Sequence, residues 1–118
     1  QREATVAVFS VGAFDAEVPS HVYTHNYLTE GDLHSLRADG AVGDVCTVFL
    51  RADGGHRDIA MNARGSGTSP EQLARIPRRL LVASGSRKAL PLRAALRAGV
   101  ATDVVVDEIT AASLLALR

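Results

Sequence analysis

The stretch of this 118-residue sequence that says most about chemistry is Ser84-Gly85-Ser86-Arg87-Lys88. A turn of small residues between an apolar run and a helical one lets backbone N–H groups approach an anion, and the helix N-terminus adds positive potential. Pro91 fixes where that helix starts, because a residue without an N–H is harmless only in the first turn. A regular helix then has its N-cap no earlier than Lys88, which places the ammonium at the helix mouth, in reach of a phosphate or a sugar hydroxyl. The rival geometry is a helix begun earlier and kinked at Pro91. The spacing is not that of a Walker loop. Lys88 is also the only lysine among 13 basic residues, the other 12 being arginine. A compact, strongly hydrated ammonium is not replaceable by a planar guanidinium in a small pocket.

Carboxylates occur at two comparable places. In Gly40-Ala41-Val42-Gly43-Asp44, two glycines bracket a tight backbone path that delivers Asp44 at its end. Its carboxylate suits hydrogen bonds from sugar hydroxyls or a pair with Lys88; the plainer alternative is a turn aspartate capping backbone N–H groups. Asp107-Glu108 closes the last apolar run. Asp107 reads as a helix cap and Glu108 as a first-turn acid, with active-site carboxylates as the alternative. Metal binding is not expected. His21 and His25 are spaced i, i+4, yet their segment lacks a helical pattern; no third ligand completes a zinc site, and His34, His56 and Cys46 stand apart. Cys46, between Val45 and Val48, reads as a small buried hydrophobe in mid-strand. Residues 65–69 (GSGTS) read as a connector more readily than as a phosphate cradle.

The elements that must position these residues follow from periodicity. Residues 5–11 (TVAVFSV) read as one buried strand ending at Gly12. Residues 13–27 read as loop. Thr29 caps a helix through Ala38 with Glu30 and Asp32 in its first turn, stopped at Gly40. Residues 45–51 read as a second strand, followed by the Asp53-Gly54-Gly55 turn and a short returning strand over 57–61. Ser69 and Pro70 open a short helix over 70–75. A third strand covers 79–83, a helix 88–98, a fourth strand Asp103–Val106 and a last helix 109–117, with Ala112, Leu115 and Ala116 on its apolar face. Short apolar strands alternating with helices imply an α/β fold with a mostly parallel sheet covered on both faces. Ligands of such sheets bind beyond the strand carboxyl ends, which selects residues 10–12, 40–44, 84–88 and 107–108.

Composition bounds the function. With 47% apolar residues the chain reads as globular, and a single cysteine suits a reducing compartment. Zero net charge disfavours nucleic-acid binding by bulk charge. The charge is nonetheless divided: residues 1–59 carry about −5 and residues 60–118 about +5. The bland account is an arginine-rich solvated surface; the sharper one is an anion site or a subunit contact in the second half. No apolar run reaches transmembrane length and no signal peptide is visible, so a cytoplasmic location is expected. Gln1 in place of a methionine reads as a cut or processed chain or a fragment.

Residues 40–44 (GAVGD), 80–89 (LLVASGSRKA), 93–99 (RAALRAG) and 106–111 (VDEITA), followed by Leu114-Leu115, resemble in order and spacing the sugar-binding domain of SorC-type and DeoR-type transcriptional regulators. The resemblance runs from the first strand to Arg118. It implies a truncated Rossmann-like fold similar to ribose-5-phosphate isomerase and glucosamine-6-phosphate deaminase, used for sensing instead of catalysis. It also implies a phosphorylated sugar or related metabolite as effector, homo-oligomers whose association the effector alters, and DNA contact only through a separate helix-turn-helix domain, with no cofactor and no membrane. Asp44 and Lys88 match its ligand contacts; Gly43, Ser84, Gly85, Asp107 and Glu108 match positions lining its pocket. Ser84 stands where the family usually has glycine, and Val106 where it has threonine. The helix-turn-helix and the first half of the sensor domain have no counterpart in these residues. Two other readings stay open: a fragment of a sugar-phosphate isomerase or deaminase, with Asp44, Lys88 and Glu108 as its acid–base set, and an oligomerisation module without ligand.

Overall fold

A computed structural model describes residues 3–14 and 27–118. His21 and His25 lie outside the described residues, as does most of the loop expected over 13–27. In chain order the elements are β1 (Val6–Phe9), β2 (Val11–Ala13), α1 (Glu30–Ala38), β3 (Ala41–Val45), β4 (Val48–Arg51), a 3-10 helix (Ala60–Arg64), α2 (Pro70–Ala74), β5 (Arg78–Ala83), a 3-10 turn (Ser86–Lys88), α3 (Ala89–Arg97), β6 (Asp103–Val106) and α4 (Glu108–Ala116). They build two three-stranded sheets. One is parallel with strand order β1-β5-β6, and the other antiparallel with order β2-β3-β4. The parallel α/β sheet expected from the alternating pattern is present. The antiparallel sheet was not foreseen.

Two local corrections explain the second sheet. The apolar run 5–11 is not one strand: the chain passes from the parallel sheet to the antiparallel one at Ser10. Nor is 45–51 one strand. Cys46 and Thr47 have φ of 50° and 66°, so the chain turns back between Val45 and Val48 and Val45 pairs with Val48. This is the two-residue hairpin geometry that normally demands Asn-Gly, which is why no turn was legible. Gly40–Asp44 accordingly does not precede a strand; most of it forms β3. Cys46 sits half-buried in the turn and not in mid-strand.

The returning strand over 57–61 is also absent; a 3-10 helix stands in its place. The side chain of Asn62 supplies the pairing that a strand backbone would have given. It accepts the Phe49 N–H at 2.8 Å and donates to the Phe49 carbonyl at 3.0 Å, occupying the edge of β4. The helix caps agree with their sequence signals. Thr29 and Ser69 each form a capping box, with Asp32 and Gln72 returning the hydrogen bond.

The main core lies between the parallel sheet, α3 and the antiparallel sheet, where Leu81, Ala83, Leu92, Ala94, Ala95, Val45 and Leu50 are buried together. A second cluster joins Leu36 of α1 to Ala41, Phe49, Ile59 and Met61. Coverage of both sheet faces was expected, and one face is open. Register places Val6, Val8, Leu80, Val82 and Val105 on the face opposite Leu81 and Ala83. Val6, Val8 and Val105 are 53%, 66% and 51% exposed. Right-handed crossovers explain the asymmetry: β1, β5 and β6 succeed one another in one direction across the sheet, so their connections all fall on one side. The last helix differs too. Ala112, Leu115 and Ala116 face outward, while Thr110 is buried and Leu114 packs against the main core.

Candidate functional site

Three of the four places selected by the strand-end rule meet at one end of the parallel sheet: Ser10 after β1, residues 84–88 after β5, and Asp107-Glu108 after β6. The fourth, Gly40–Asp44, belongs to the antiparallel sheet. Its Gly43 is packed tightly: a Cβ there would lie 2.7 Å from the Pro91 Cβ and would overlap the Gly12 carbonyl. Only glycine lets β3 approach both β2 and the first turn of α3 so closely. Gly43 therefore seats the helix that carries Lys88 at its mouth.

Lys88 is the N-cap of α3, as Pro91 required, and a 3-10 turn leads into it without a kink at the proline. Its side chain is half-buried, and among the described residues the ammonium makes no hydrogen bond or ion pair. The expected pairing with Asp44 is not formed. Asp44 pairs in register with Phe49 and leaves the sheet on the face opposite Gly43. It is buried, and its carboxylate accepts the Thr47 N–H at 3.1 Å, closing the hairpin.

Gly85 takes φ 124° and ψ 129°, a region closed to other residues. Its N–H, expected to face an anion, instead donates to the Thr110 hydroxyl at 2.8 Å. Thr110 is fully buried. The Thr110 N–H donates to Asp107 Oδ1 at 2.7 Å, and the Ser84 hydroxyl donates to Asp107 Oδ2 at 2.5 Å. The Ser84 hydroxyl, followed by Thr110, holds the Asp107 carboxyl below the usual carboxylate range. Asp107 is thus the N-cap of α4, and Glu108 is exposed in its first turn. Ser84, Gly85, Lys88, Asp107 and Glu108 come together here; Asp44 is turned to its own hairpin and makes no ion pair with Lys88. The sequence alone does not reveal the part played by Thr110, because a threonine at the fourth residue past a strand carries no signal until the neighbouring loop is placed.

What remains is an exposed turn with one half-buried cation at the mouth of a helix; the Lys88 and Ala89 N–H groups are already taken by the Gly85 and Ser86 carbonyls, and Pro91 has none. Such an arrangement suits an anionic group, and its one hydroxyl–carboxylate pair, Ser84 with Asp107, is tied into the cap of α4. Among the described residues no group of histidines, cysteines and carboxylates could hold a metal ion, and no helix is long and apolar enough to cross a membrane.

Residues 1–116 match the family model described as "Putative sugar-binding domain". This chain belongs to that sugar-binding domain family. It is 33% identical to the transcriptional regulator LsrR of Klebsiella pneumoniae over 121 residues, covering 97% of this chain and 36% of that protein. It is 32% identical to the deoxyribonucleoside regulator of Bacillus subtilis, again covering 97% of this chain and 36% of the relative. Among solved structures, a domain of a possible sugar-binding transcriptional regulator from Arthrobacter aurescens superposes with a TM-score of 0.86 at 43% identity, over 98% of this chain and 43% of that one. The chain spans about a third of the length of the curated relatives it matches. It covers less than half of the Arthrobacter chain.

Proposed function

We propose that this chain is the C-terminal half of an effector-sensing domain, that its ligand is a phosphorylated sugar or a related metabolite, and that binding alters subunit association and thereby the hold of a separate helix-turn-helix domain on operator DNA. The observation that carries the ligand class is Lys88: a half-buried ammonium without a partner among the described residues, at a helix mouth beyond the ends of parallel strands. A neutral sugar alone would leave that charge without an anion. Lys88 supplies the anion contact, and Glu108 stands on the rim for sugar hydroxyls. Gly43 and Asp44 contribute through β3, which seats α3. The regulators among the relatives support sensing in preference to turnover.

The open valine face supports the half-domain reading. Parallel sheets are covered on both faces. Helices reach the open face by right-handed crossovers only if further strands are added beyond β1, in the opposite direction to β5 and β6. More than half of the Arthrobacter domain lies outside the region matched here, which is ample chain for such units. Strand order then reverses beside β1, the usual place for a ligand crevice.

The test is calorimetric titration of the full-length regulator, and of this chain, with fructose 6-phosphate, ribose 5-phosphate and the parent sugars, alongside operator release. Phosphate esters should bind and the neutral sugars should not. If no phosphate ester shifts either melting or operator binding, the reading fails; turnover of an ester would mark an enzyme instead.

A further inference from the structure

We propose, on the basis of the effector reading above, that Ser84, Asp107 and Thr110 form a clamp that holds the turn over residues 84–88 in its ligand-ready shape, and that Asp107 is a positioning residue and not a ligand contact. The clamp is a closed ring across the ends of two adjacent strands. Ser84 donates to Asp107 Oδ2, the Thr110 amide donates to Asp107 Oδ1, and the Gly85 amide returns to the Thr110 hydroxyl. Each oxygen of Asp107 already has a protein donor aimed at it. Gly85 is free to take this φ but equally free to leave it, and its hydrogen bond to Thr110 is what selects one shape. Thr110 is the rigid member, being fully buried at the start of α4.

Ser84 closes the ring through its hydroxyl. A glycine at this position, as in the resembled pattern, has no hydroxyl to donate to Asp107 Oδ2. With serine there, the carboxylate faces its own protein, and the turn offers a ligand the Lys88 ammonium. This end of the site therefore selects for the anionic group, and discrimination among sugars falls to other residues.

The decisive experiment combines amide exchange of Gly85 by NMR with titration of fructose 6-phosphate and of inorganic phosphate, on Thr110→Val, Thr110→Ser, Asp107→Asn and Ser84→Gly. Thr110→Val keeps the shape of the side chain and removes the acceptor. It should speed Gly85 exchange and weaken both probes by about tenfold, the worth of one hydrogen bond. Thr110→Ser, which restores the acceptor, should return both to near the original values. Asp107→Asn should weaken both probes by the same factor. Ser84→Gly should raise the preference for the sugar phosphate over inorganic phosphate by freeing Asp107. Unchanged Gly85 exchange in Thr110→Val overturns the clamp. A changed ratio of the two probes in Asp107→Asn makes Asp107 a direct contact and overturns its positioning role. If exchange responds as expected but the unaltered protein binds neither probe, the effector reading fails while the clamp stands.

Discussion

Lys88→Ala should weaken a phosphate-ester ligand by about 10- to 100-fold, since one hydrogen bond to a charged group contributes roughly 1.5–3 kcal/mol. Melting of the free protein should hardly move, because Lys88 makes no ion pair that the change would break. Lys88→Arg should restore only part of the affinity: a planar fork cannot take the place of a compact ammonium beside Gly85, whose own Cβ position lies 4.0 Å from the Lys88 Cγ. Calorimetric titration checks both, and full affinity in Lys88→Ala would remove this residue from the site. Gly43 acts at the same scale through sterics. Gly43→Ala forces Pro91 and Gly12 apart and should lower stability by about 1–3 kcal/mol in urea denaturation. Cys46 is the quiet counterpart. Burial pushes its thiol up and the Asp44 carboxylate adds to this, so it should react slowly with thiol reagents at neutral pH.

At the scale of elements, the β3–β4 hairpin carries the clearest strain. Two residues other than glycine hold positive φ at its turn. Replacing Cys46-Thr47 by Asn-Gly should raise stability by about 1–2 kcal/mol, the cost of left-handed backbone at ordinary residues. A lower urea midpoint in that variant would mean that Cys46 and Thr47 contribute more by packing than they lose by strain. The caps are the other element-scale lever. Thr29→Ala removes one side of a capping box and should cost about 0.5–2 kcal/mol. The carboxylates at helix starts also make the fold acid-sensitive. His56 holds the Glu71 carboxyl down to about 2, from an ordinary 4.5. Asp32 and Asp107 are lowered as well, chiefly by the Thr29 backbone and the Ser84 hydroxyl respectively. A carboxyl lowered in the folded state stabilises it fully above the unfolded value and ceases to do so as pH falls through the folded value. The melting temperature should therefore be level above about pH 5 and fall below about pH 4.5.

Across the whole molecule, the open face of the parallel sheet governs behaviour. Val6, Val8, Leu80, Val82 and Val105 form a contiguous apolar surface of a kind that soluble proteins cover. The outer side of α4 adds Ile109 and Leu115, the latter 85% exposed. On its own the chain should bind a hydrophobic dye and self-associate as concentration rises. Val8→Thr with Val82→Thr should reduce both effects in sedimentation and dye-binding measurements. Dye binding that persists undiminished in that double variant would shift the apolar surface to α4. On the proposed half-domain reading, in which further chain covers this face, the same substitutions should instead lower the stability of the longer protein.

The helices, their caps and the parallel strands were determined locally, and so were readable. Thr29, Ser69 and Asp107 cap by their own chemistry, Pro91 dates the start of α3, and the runs of valine and leucine mark β5 and β6. The strand-end loop was readable for the same reason: a small-residue turn before a helix means the same thing in any fold. Three matters waited on tertiary structure. The division of residues 5–11 between two sheets depends on partners, since an apolar β-branched run pairs equally well with either. The Cys46-Thr47 turn is imposed by the pairing of β3 with β4 against local preference. The roles of Asp44, Gly85 and Thr110 follow from which groups lie opposite them, and a hydrogen bond between residues 25 apart in the chain leaves no periodic trace. The sequence alone therefore places a cation at the mouth of a helix, and only the folded chain decides which carboxylates stand near it and which are already held by the protein's own amides and hydroxyls.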